Sequence, residues 1–363
     1  MQTRQEKILA CIDPATQKGL EIGALHKPIV TREMGDIRYV DHASTEELKQ
    51  KYADDPNVDV EAIVDVSYIW GTQTLPELVG DDAPFDYVIA SHVIEHVPDL
   101  IGWLKEIRAV LKPGGILTLV IPDKRYCFDY HRPLTQPAAI VEAYLQNRRK
   151  PSPGQVFEFF SSVAFWNGDF VWAESAAGKE HEITRLHSLE ESWRMTNQIV
   201  ADGNYYDVHC WVFTPASFFE LLKTVIQVGA CDFKIAEFYP TEGCEFYVSL
   251  AAMDLSIEQA ERQKIQLDSF VIPNITEPPP AINSDSMVEV KQQEPTHSIQ
   301  NTIERLRADK QRLQGDKQRL RQKVKYLEDI LTMSKNEITA MQSSKFWKLR
   351  RQWLELKQFI VKK

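Results

Sequence analysis

The sequence lacks a long hydrophobic run and a paired set of cysteines. Its first apolar stretch covers only residues 8–12, and no window reaches the roughly 18 apolar residues that a membrane-spanning helix requires. We therefore expect no secretion signal and no integral membrane segment. The five cysteines are odd in number and widely spaced, with no Cys-x-x-Cys pair. The sequence thus predicts a cytoplasmic protein in a reducing compartment, and we expect no metal site.

Positive charge is scarce before the C-terminal region. The formal net charge of the 363 residues is −10, but residues 298–363 hold 17 Lys and Arg against 7 Asp and Glu. That region therefore carries +10, and the residues before it carry −20. An acidic body excludes broad nucleic-acid binding, whereas a basic tail permits contact with anionic lipid or an acidic partner.

Short apolar runs alternate with helical patterns over residues 1–253, which is typical of a doubly wound α/β domain. A helical spacing of apolar residues over 98–111 ends at Lys112-Pro113-Gly114-Gly115. Five runs predict buried parallel strands and two more predict an antiparallel hairpin: residues 19–23, 36–41, 62–66, 85–90 and 116–121, then 233–238 and 245–250. We therefore predict a Rossmann-like sheet of seven strands.

Residues 131–208 interrupt this rhythm and are rich in Phe, Trp and Tyr. We interpret them as a helical cap inserted into the α/β domain. Such a cap either packs its aromatic side chains onto the sheet or also forms the wall of a substrate pocket at the strand ends.

The region after the sheet predicts a linker followed by a coiled coil. Residues 254–297 finish a helix and then become rich in Pro, Ser, Asn and Gln, which cannot bury a core. Over residues 298–341, a leucine or isoleucine recurs every seven residues from Ile299 to Leu327, which predicts a left-handed coiled coil and a homodimer. Lys310 and Lys317 weaken the seam, so a single solvated helix is the alternative.

The last segment, residues 342–363, predicts a basic amphipathic helix. Phe346, Leu349, Trp353, Leu356 and Ile360 share one face, and residues 345–363 carry a net charge of +6. This combination favours peripheral attachment to the inner face of an anionic membrane. The alternative is a helix that docks on its own protein.

Ligands of open α/β sheets bind outside the carboxyl ends of the strands. Asp41 closes the second predicted strand, where its two carboxylate oxygens match two adjacent ribose hydroxyls. We therefore expect Asp41 to hold a ribose.

Several motifs resemble those of class I S-adenosylmethionine-dependent methyltransferases. They are Glu21-Ile22-Gly23, Asp41, the segment 85–97 that ends in Ser91-His92-Val93-Ile94-Glu95-His96-Val97, and Leu111-Lys112-Pro113-Gly114-Gly115. The resemblance implies a seven-stranded sheet with one antiparallel strand and S-adenosyl-L-methionine as cofactor. It also implies cofactor contacts from Glu21 near the amino acid part, Asp41 at the ribose, Trp70 and Gly71 at the adenine, and Ser91 and His92 at the methyl donor. Gly23, Ala24 and His42 are further expected cofactor-binding residues.

The sequence departs from the family pattern at two points. Ala24-Leu25-His26-Lys27-Pro28 replaces the further glycines of the first motif, so we expect the first helix to be short or lost. The acidic residue expected before Trp70-Gly71 is missing, and Asp65 lies too early to replace it. A nicotinamide dehydrogenase is disfavoured, because no Gly-x-Gly-x-x-Gly follows the first strand.

A hydroxyl acceptor needs a base, and the candidate catalytic residues are His96 and His209. Candidate substrate-binding residues are Asp123, Lys124 and Arg125 after the fifth strand, and His131. Residues 343–349 resemble tails of bacterial glycosyltransferases and surface-polysaccharide enzymes. We therefore expect O-methylation of a sugar in a surface polysaccharide or lipid-linked glycan. The alternatives are methylation of a small metabolite or protein, and an inactive methyltransferase fold that serves as a scaffold.

Overall fold

The computed structural model describes residues 2–166, 169–172, 182–270 and 325. The chain divides into two compact units, residues 1–280 and 281–363. The predicted linker beyond residue 270, the coiled coil and the basic tail lie outside the described residues, Lys325 excepted. Within the described residues, no helix has the length and apolar character needed to cross a bilayer.

The first unit is built around a sheet of seven strands. They are β1 (Gly19–Ile22), β2 (Ile37–Asp41), β3 (Tyr68–Ile69), β4 (Phe85–Ser91), β5 (Leu111–Pro122), β9 (Phe233–Glu242) and β10 (Glu245–Ala252). Their order in the sheet is β3-β2-β1-β4-β5-β10-β9; the pairs among β1 to β5 are parallel, and β10 runs antiparallel to both β5 and β9. The prediction of seven strands with one antiparallel member is confirmed.

Helices cover the sheet, and most begin at a Ser, Thr or Asp whose side chain accepts a hydrogen bond from the first turn. They are α1 (Arg4–Ile8), α2 (Thr45–Lys51), α3 (Leu75–Val79), α4 (Leu100–Val110), α5 (Pro137–Leu145), α6 (Pro153–Ser162), α7 (Leu189–Asp202), α8 (Pro215–Gln227) and α9 (Gln259–Asp268). As expected from the missing glycines, residues 23–36 between β1 and β2 contain no helix.

The core lies on both faces of the sheet. Successive residues of β4 alternate between two buried clusters: Val88 and Ala90 join one cluster, while Tyr87 and Ile89 join the other. This explains why the central strands are continuous apolar runs rather than alternating ones, because both of their faces are covered.

The third strand is not where the sequence predicted it. Residues 62–66 form no strand, and the two-residue β3 at Tyr68–Ile69 pairs with Val40 and Asp41 instead. This strand lies at the edge of the sheet, and Ile69 is exposed. Because a short edge strand buries little side-chain area, it leaves a weak hydrophobic pattern.

The cap is only partly helical. Its helices α5, α6 and α7 are accompanied by a three-stranded antiparallel sheet of β6 (Ala164–Trp166), β7 (Asp169–Phe170) and β8 (Thr184–Arg185), in the order β7-β6-β8. The predicted helical cap therefore contains its helices and, in addition, a small sheet that the sequence did not predict. The runs of two or three residues are too short to show the alternation by which strands are recognised.

Candidate functional site

The strand order reverses between β1 and β4, because β1 leads outward to β2 and β3 while β4 leads outward to β5. In open α/β sheets, this reversal opens a crevice at the carboxyl ends of the two strands. The chain leaves these strands at Gly23 and His92, and β2 ends beside them at Asp41. Residues that the sequence predicted to bind the cofactor therefore surround the crevice.

The turn after β1 is shaped by Gly23 and Glu21. Gly23 has φ +72°, and a Cβ at this position would lie 3.3 Å from Cγ2 of Val93. The buried Glu21 carboxylate accepts hydrogen bonds from the backbone N–H groups of Ile29 (2.8 Å) and Val30 (3.2 Å). Burial raises the pKa of Glu21 to about 7, although these hydrogen bonds oppose the rise. Glu21 thus orders the loop after β1, and its contact with the cofactor stays a prediction.

Asp41 has one carboxylate oxygen committed to its neighbour. Its Oδ1 accepts from the backbone N–H of His42 at 2.7 Å and lies 2.6 Å from Nδ1 of the His42 ring. The Oδ2 atom accepts no hydrogen bond from the described residues. The backbone carbonyl of Asp41 binds the N–H of Trp70 at 2.7 Å, which places Trp70 and the exposed Gly71 beside it. Asp41 therefore offers an acceptor oxygen at the crevice.

His92 is held in an unusual backbone conformation at the end of β4. Its φ of +54° lies in the left-handed region, which a residue other than glycine rarely adopts. Its Nε2 is 2.6 Å from Oε2 of Glu245, and Glu245 also accepts from Nε of Arg4 at 2.6 Å. Arg4 donates a further hydrogen bond to Oγ of Ser91 at 2.9 Å. Burial alone would raise the pKa of Glu245, but its hydrogen bonds with His92 and Arg4 hold that pKa at about 2.

His96 and His209 come together, with ring centroids 4.6 Å apart and an edge-on arrangement. Nδ1 of each ring forms a hydrogen bond with a carboxylate. Nδ1 of His96 lies 2.8 Å from Oδ1 of Asp207, and Nδ1 of His209 lies 2.5 Å from Oδ2 of Asp129. Burial lowers the pKa of His96, but Asp207 and nearby carboxylates outweigh it and raise that pKa above its usual value. Among the described residues, none forms a hydrogen bond with Nε2 of either ring.

Backbone contacts explain why two histidines so far apart in sequence meet. The N–H groups of Cys210 and Trp211 donate to the carbonyl of Glu95 at 2.6 and 3.1 Å. The indole Nε1 of Trp211 donates to the carbonyl of Val97 at 2.6 Å. The segment that returns from the cap is thus fixed against the turn after β4.

Glu95 completes this cluster. Its side chain is fully buried, and neither carboxylate oxygen has a hydrogen-bond partner among the described residues. Nδ1 of His92 lies 3.6 Å from Oε1 of Glu95. One carboxylate oxygen of Glu95 and one nitrogen each of His96 and His209 all lie within 4.8 Å of one another.

The predicted substrate-binding residues Asp123, Lys124, Arg125 and His131 already interact with other groups of the protein. The buried Asp123 carboxylate accepts from Arg125 at 2.5 Å and from Oγ1 of Thr241 at 2.6 Å. Burial lowers the pKa of Lys124, although the negative charge of Asp129 opposes the change. His131 packs against Tyr130, and burial and the charge of Arg185 in β8 lower its pKa. Asp123 and Arg125 therefore bind each other.

The sequence did not single out five charged residues that organise this edge: Arg4, Glu95, Asp129, Asp207 and Glu245. Glu95 was part of the segment 85–97, and its burial among apolar neighbours was the one available signal. The others lie in unrelated parts of the chain, where no spacing connects them.

The crevice fits S-adenosyl-L-methionine. Gly23 lets the backbone turn closely under a ligand, and Asp41 presents an acceptor oxygen for a ribose hydroxyl. The backbone N–H of Trp70 binds the Asp41 carbonyl, so Trp70 follows β3 at the same edge of the sheet. The imidazole pair follows β4 at the adjoining side of the crevice.

Comparison with known proteins agrees with this fold. The chain matches the family model described as "Methyltransferase domain" over residues 9–224. No protein with a curated description matches the chain.

Similar solved structures include the CcbJ methyltransferase from Streptomyces caelestis, at 16% identity, 34% coverage of this chain, 56% of that chain and a TM-score of 0.24. The CurJ carbon methyltransferase is 13% identical, with 66% of this chain and 50% of that chain covered and a TM-score of 0.30. A SAM-dependent methyltransferase from Methanosarcina mazei is 16% identical, with coverages of 65% and 92% and a TM-score of 0.32. The chain thus spans about half the length of the first two, and the family assignment rests on the family model.

That model covers more than half of the 363 residues, and it ends inside α8, after the crevice, the imidazole pair and most of the sheet have been formed. The chain therefore belongs to the methyltransferase domain family.

Proposed function

We propose that the protein methylates a hydroxyl group of a sugar, in a surface polysaccharide or a lipid-linked glycan intermediate. The observation that carries the hydroxyl assignment is the imidazole pair of His96 and His209, with each Nδ1 on a carboxylate and each Nε2 without a protein partner among the described residues. A hydroxyl must lose its proton when it accepts a methyl group. Two oriented imidazoles suit that task.

S-adenosyl-L-methionine supplies an electrophilic methyl group with a neutral leaving group, so the protein's contribution is mainly alignment. Holding the acceptor oxygen in line with the methyl contributes about 7 to 11 kcal/mol, and a base adds roughly two to four powers of ten in rate. Asp41 would orient the ribose. His209, fixed by Asp129 and the backbone of Glu95, would receive or direct the proton of the acceptor hydroxyl.

A sugar acceptor is supported by the surroundings of His209. The ring of Phe128 lies 4.6 Å from the His209 ring and stacks on Trp172 at 5.2 Å, and Phe159 lies 6.3 Å from His209. Flat aromatic faces pack on the apolar faces of sugar rings, while carboxylates and imidazoles bind the hydroxyls. Trp172, at this aromatic wall, is 43% exposed.

The glycan assignment also uses the sequence beyond the described residues. A coiled coil over residues 298–341 would form a homodimer, and the basic residues 345–363 would bring the catalytic unit to anionic lipid at the inner membrane face. A lipid-linked glycan is an acceptor found at such a surface. This cytoplasmic, membrane-peripheral arrangement belongs to the proposal.

The test measures transfer of a radiolabelled methyl group from S-adenosyl-L-methionine to three acceptor classes: lipid-linked oligosaccharides, nucleotide sugars, and small non-sugar alcohols and amines. We expect the sugar classes to be methylated. His209→Asn should lower kcat by roughly 10² to 10⁴ while the Kd for S-adenosyl-L-methionine stays within about twofold. His187→Asn, which changes a cap imidazole that contacts Phe160, is the matched control and should keep its rate.

Methylation confined to the non-sugar acceptors would contradict the sugar assignment. An undiminished rate in His209→Asn would contradict the role of the imidazole pair. Cofactor binding without turnover on any acceptor class would favour a scaffold.

A further inference from the structure

The cluster of Glu95, His96 and His209 has a feature that proton transfer alone does not explain. Glu95 is fully buried, and neither oxygen of its carboxylate accepts a hydrogen bond from the described residues. A buried carboxylate in this condition is strongly destabilised unless a positive charge or a donor compensates it. Nδ1 of His92 lies 3.6 Å from Oε1 of Glu95, which is too long for a hydrogen bond, and the other nitrogen of His92 is bound to Glu245.

We propose that Glu95, His96 and His209 bind a divalent transition-metal ion, for which zinc is the probe. The three residues offer two imidazole nitrogens and one carboxylate oxygen, all within 4.8 Å of one another. Zinc binds these atoms at about 2.0 to 2.2 Å, so ligands of one ion lie no more than about 4.2 Å apart. Small side-chain rotations would bring the three atoms to that separation.

The partners of the two histidines support this assignment. Histidines that bind a metal usually donate their second ring N–H to a carboxylate, which fixes the tautomer and directs the other nitrogen at the ion. Both rings have this arrangement: Nδ1 of His96 is on Asp207, and Nδ1 of His209 is on Asp129. Asp129 is in turn held by Nη1 of Arg132 at 2.8 Å. Both rings are therefore left with Nε2 as the ligand atom.

The ligand set indicates the class of metal. Two imidazoles and one carboxylate suit zinc or ferrous iron, whereas magnesium and calcium prefer ligands that are all oxygen. Three protein ligands also leave a coordination position open, as in catalytic rather than structural sites. Sequence reasoning predicted no metal, because it looked for paired cysteines and the third ligand lies more than 100 residues after the first two.

The open position gives the ion a role in methyl transfer, and this role rests on the proposed function. An acceptor hydroxyl bound there would have its pKa lowered by the ion and would release its proton to water before attack. His209, together with His96, would then direct the loss of that proton through the ion that the two imidazoles bind.

The experiment measures metal binding by the full chain without cofactor or acceptor. Protein that has been dialysed against a chelator is loaded with zinc and separated from free zinc, and its zinc content is then determined. The affinity for zinc is measured by competition with a chromophoric chelator. We expect one equivalent of tightly bound zinc. Glu95→Gln and His209→Asn should each bind it at least about 100-fold more weakly, whereas His187→Asn should match the wild type.

X-ray absorption at the zinc edge distinguishes this site from adventitious binding by the five cysteines. We expect nitrogen and oxygen neighbours at about 2.0 to 2.1 Å and no sulfur at about 2.3 Å. Wild-type protein that keeps no zinc, Glu95→Gln that keeps it fully, or a shell containing sulfur would overturn the proposal. A cooperative thermal unfolding transition in the presence of chelator verifies that each variant is folded. If His209→Asn does not fold, zinc binding by Glu95→Gln alone tests the proposal.

The two proposals fail separately. Zinc binding at this site without methylation of any sugar would contradict the proposed function alone. Sugar methylation that survives removal of all bound metal would remove the ion's role in the reaction, and absent zinc binding would overturn the site itself.

Discussion

Replacing Asp41 with asparagine should weaken binding of S-adenosyl-L-methionine. The change keeps an oxygen for the backbone N–H of His42, which Oδ1 accepts at 2.7 Å, but removes the charge that strengthens a ribose contact at Oδ2. Losing a hydrogen bond to a charged group costs about 1.5 to 3 kcal/mol. At 1.4 kcal/mol for each tenfold change, Kd should rise by a factor of about 10 to 150.

The assay is isothermal titration calorimetry with S-adenosyl-L-methionine and, separately, S-adenosylhomocysteine. Both ligands carry the same ribose, so both should lose affinity by the same factor. Asp65→Asn is the matched control, because the exposed Asp65 pairs with Arg32 at 3.1 Å and ends no strand of the crevice. A folded Asp41→Asn variant with Kd within about twofold of the wild type would refute the ribose assignment.

Three further predictions concern stability, assembly and membrane contact. Because the pKa of Glu21 is raised from 4.5 to about 7 in the folded protein, its contribution to stability is fully present below pH 4.5 and is lost as the pH rises through about 7. In urea unfolding, the free energy of unfolding of Glu21→Gln should therefore increase relative to that of the wild type by about 2 to 3 kcal/mol between pH 4.5 and 8. A difference between the two proteins that does not change with pH would contradict the buried, protonated carboxyl. Leu313→Pro should break the predicted coiled coil and leave cofactor affinity intact; a wild type that sediments as a monomer at micromolar concentration would exclude the dimer. Deleting residues 345–363 should release the protein from anionic vesicles and slow turnover only on lipid-linked acceptors. A wild-type protein that does not bind such vesicles at low salt would contradict the membrane proposal.

The central strands could be predicted because burial on both faces leaves continuous apolar runs. Strands β1, β2, β4 and β5 each contain or overlap the predicted run, and β9 and β10 form the predicted hairpin. The turn of that hairpin is shorter than expected, since β9 continues to Glu242 and only Gly243 and Cys244 connect the strands. Strand β3 was misplaced because two edge residues carry almost no pattern of their own.

The candidate site was predictable where a strand end places a residue, and unpredictable where distant segments meet. Asp41 and the pair Ser91-His92 follow strands, so topology alone brings them to the crevice. The meeting of His96 with His209 depends on hydrogen bonds from the backbone of the cap's return segment to Glu95. Hydrogen bonds of this kind leave no trace in residue type, because every residue except proline can donate them.

The ion pair of Arg4 with Glu245 has a consequence for how the protein is made. The two residues are 241 positions apart, so at roughly 5 to 20 residues per second a ribosome needs about 12 to 48 s to supply the partner of Arg4. During that time the first helix, Ser91 and His92 lack the carboxylate that joins them, and β5 lacks its antiparallel neighbour β10. The crevice is therefore completed only when β10 has been made, and until then the nascent chain exposes the edge of β5.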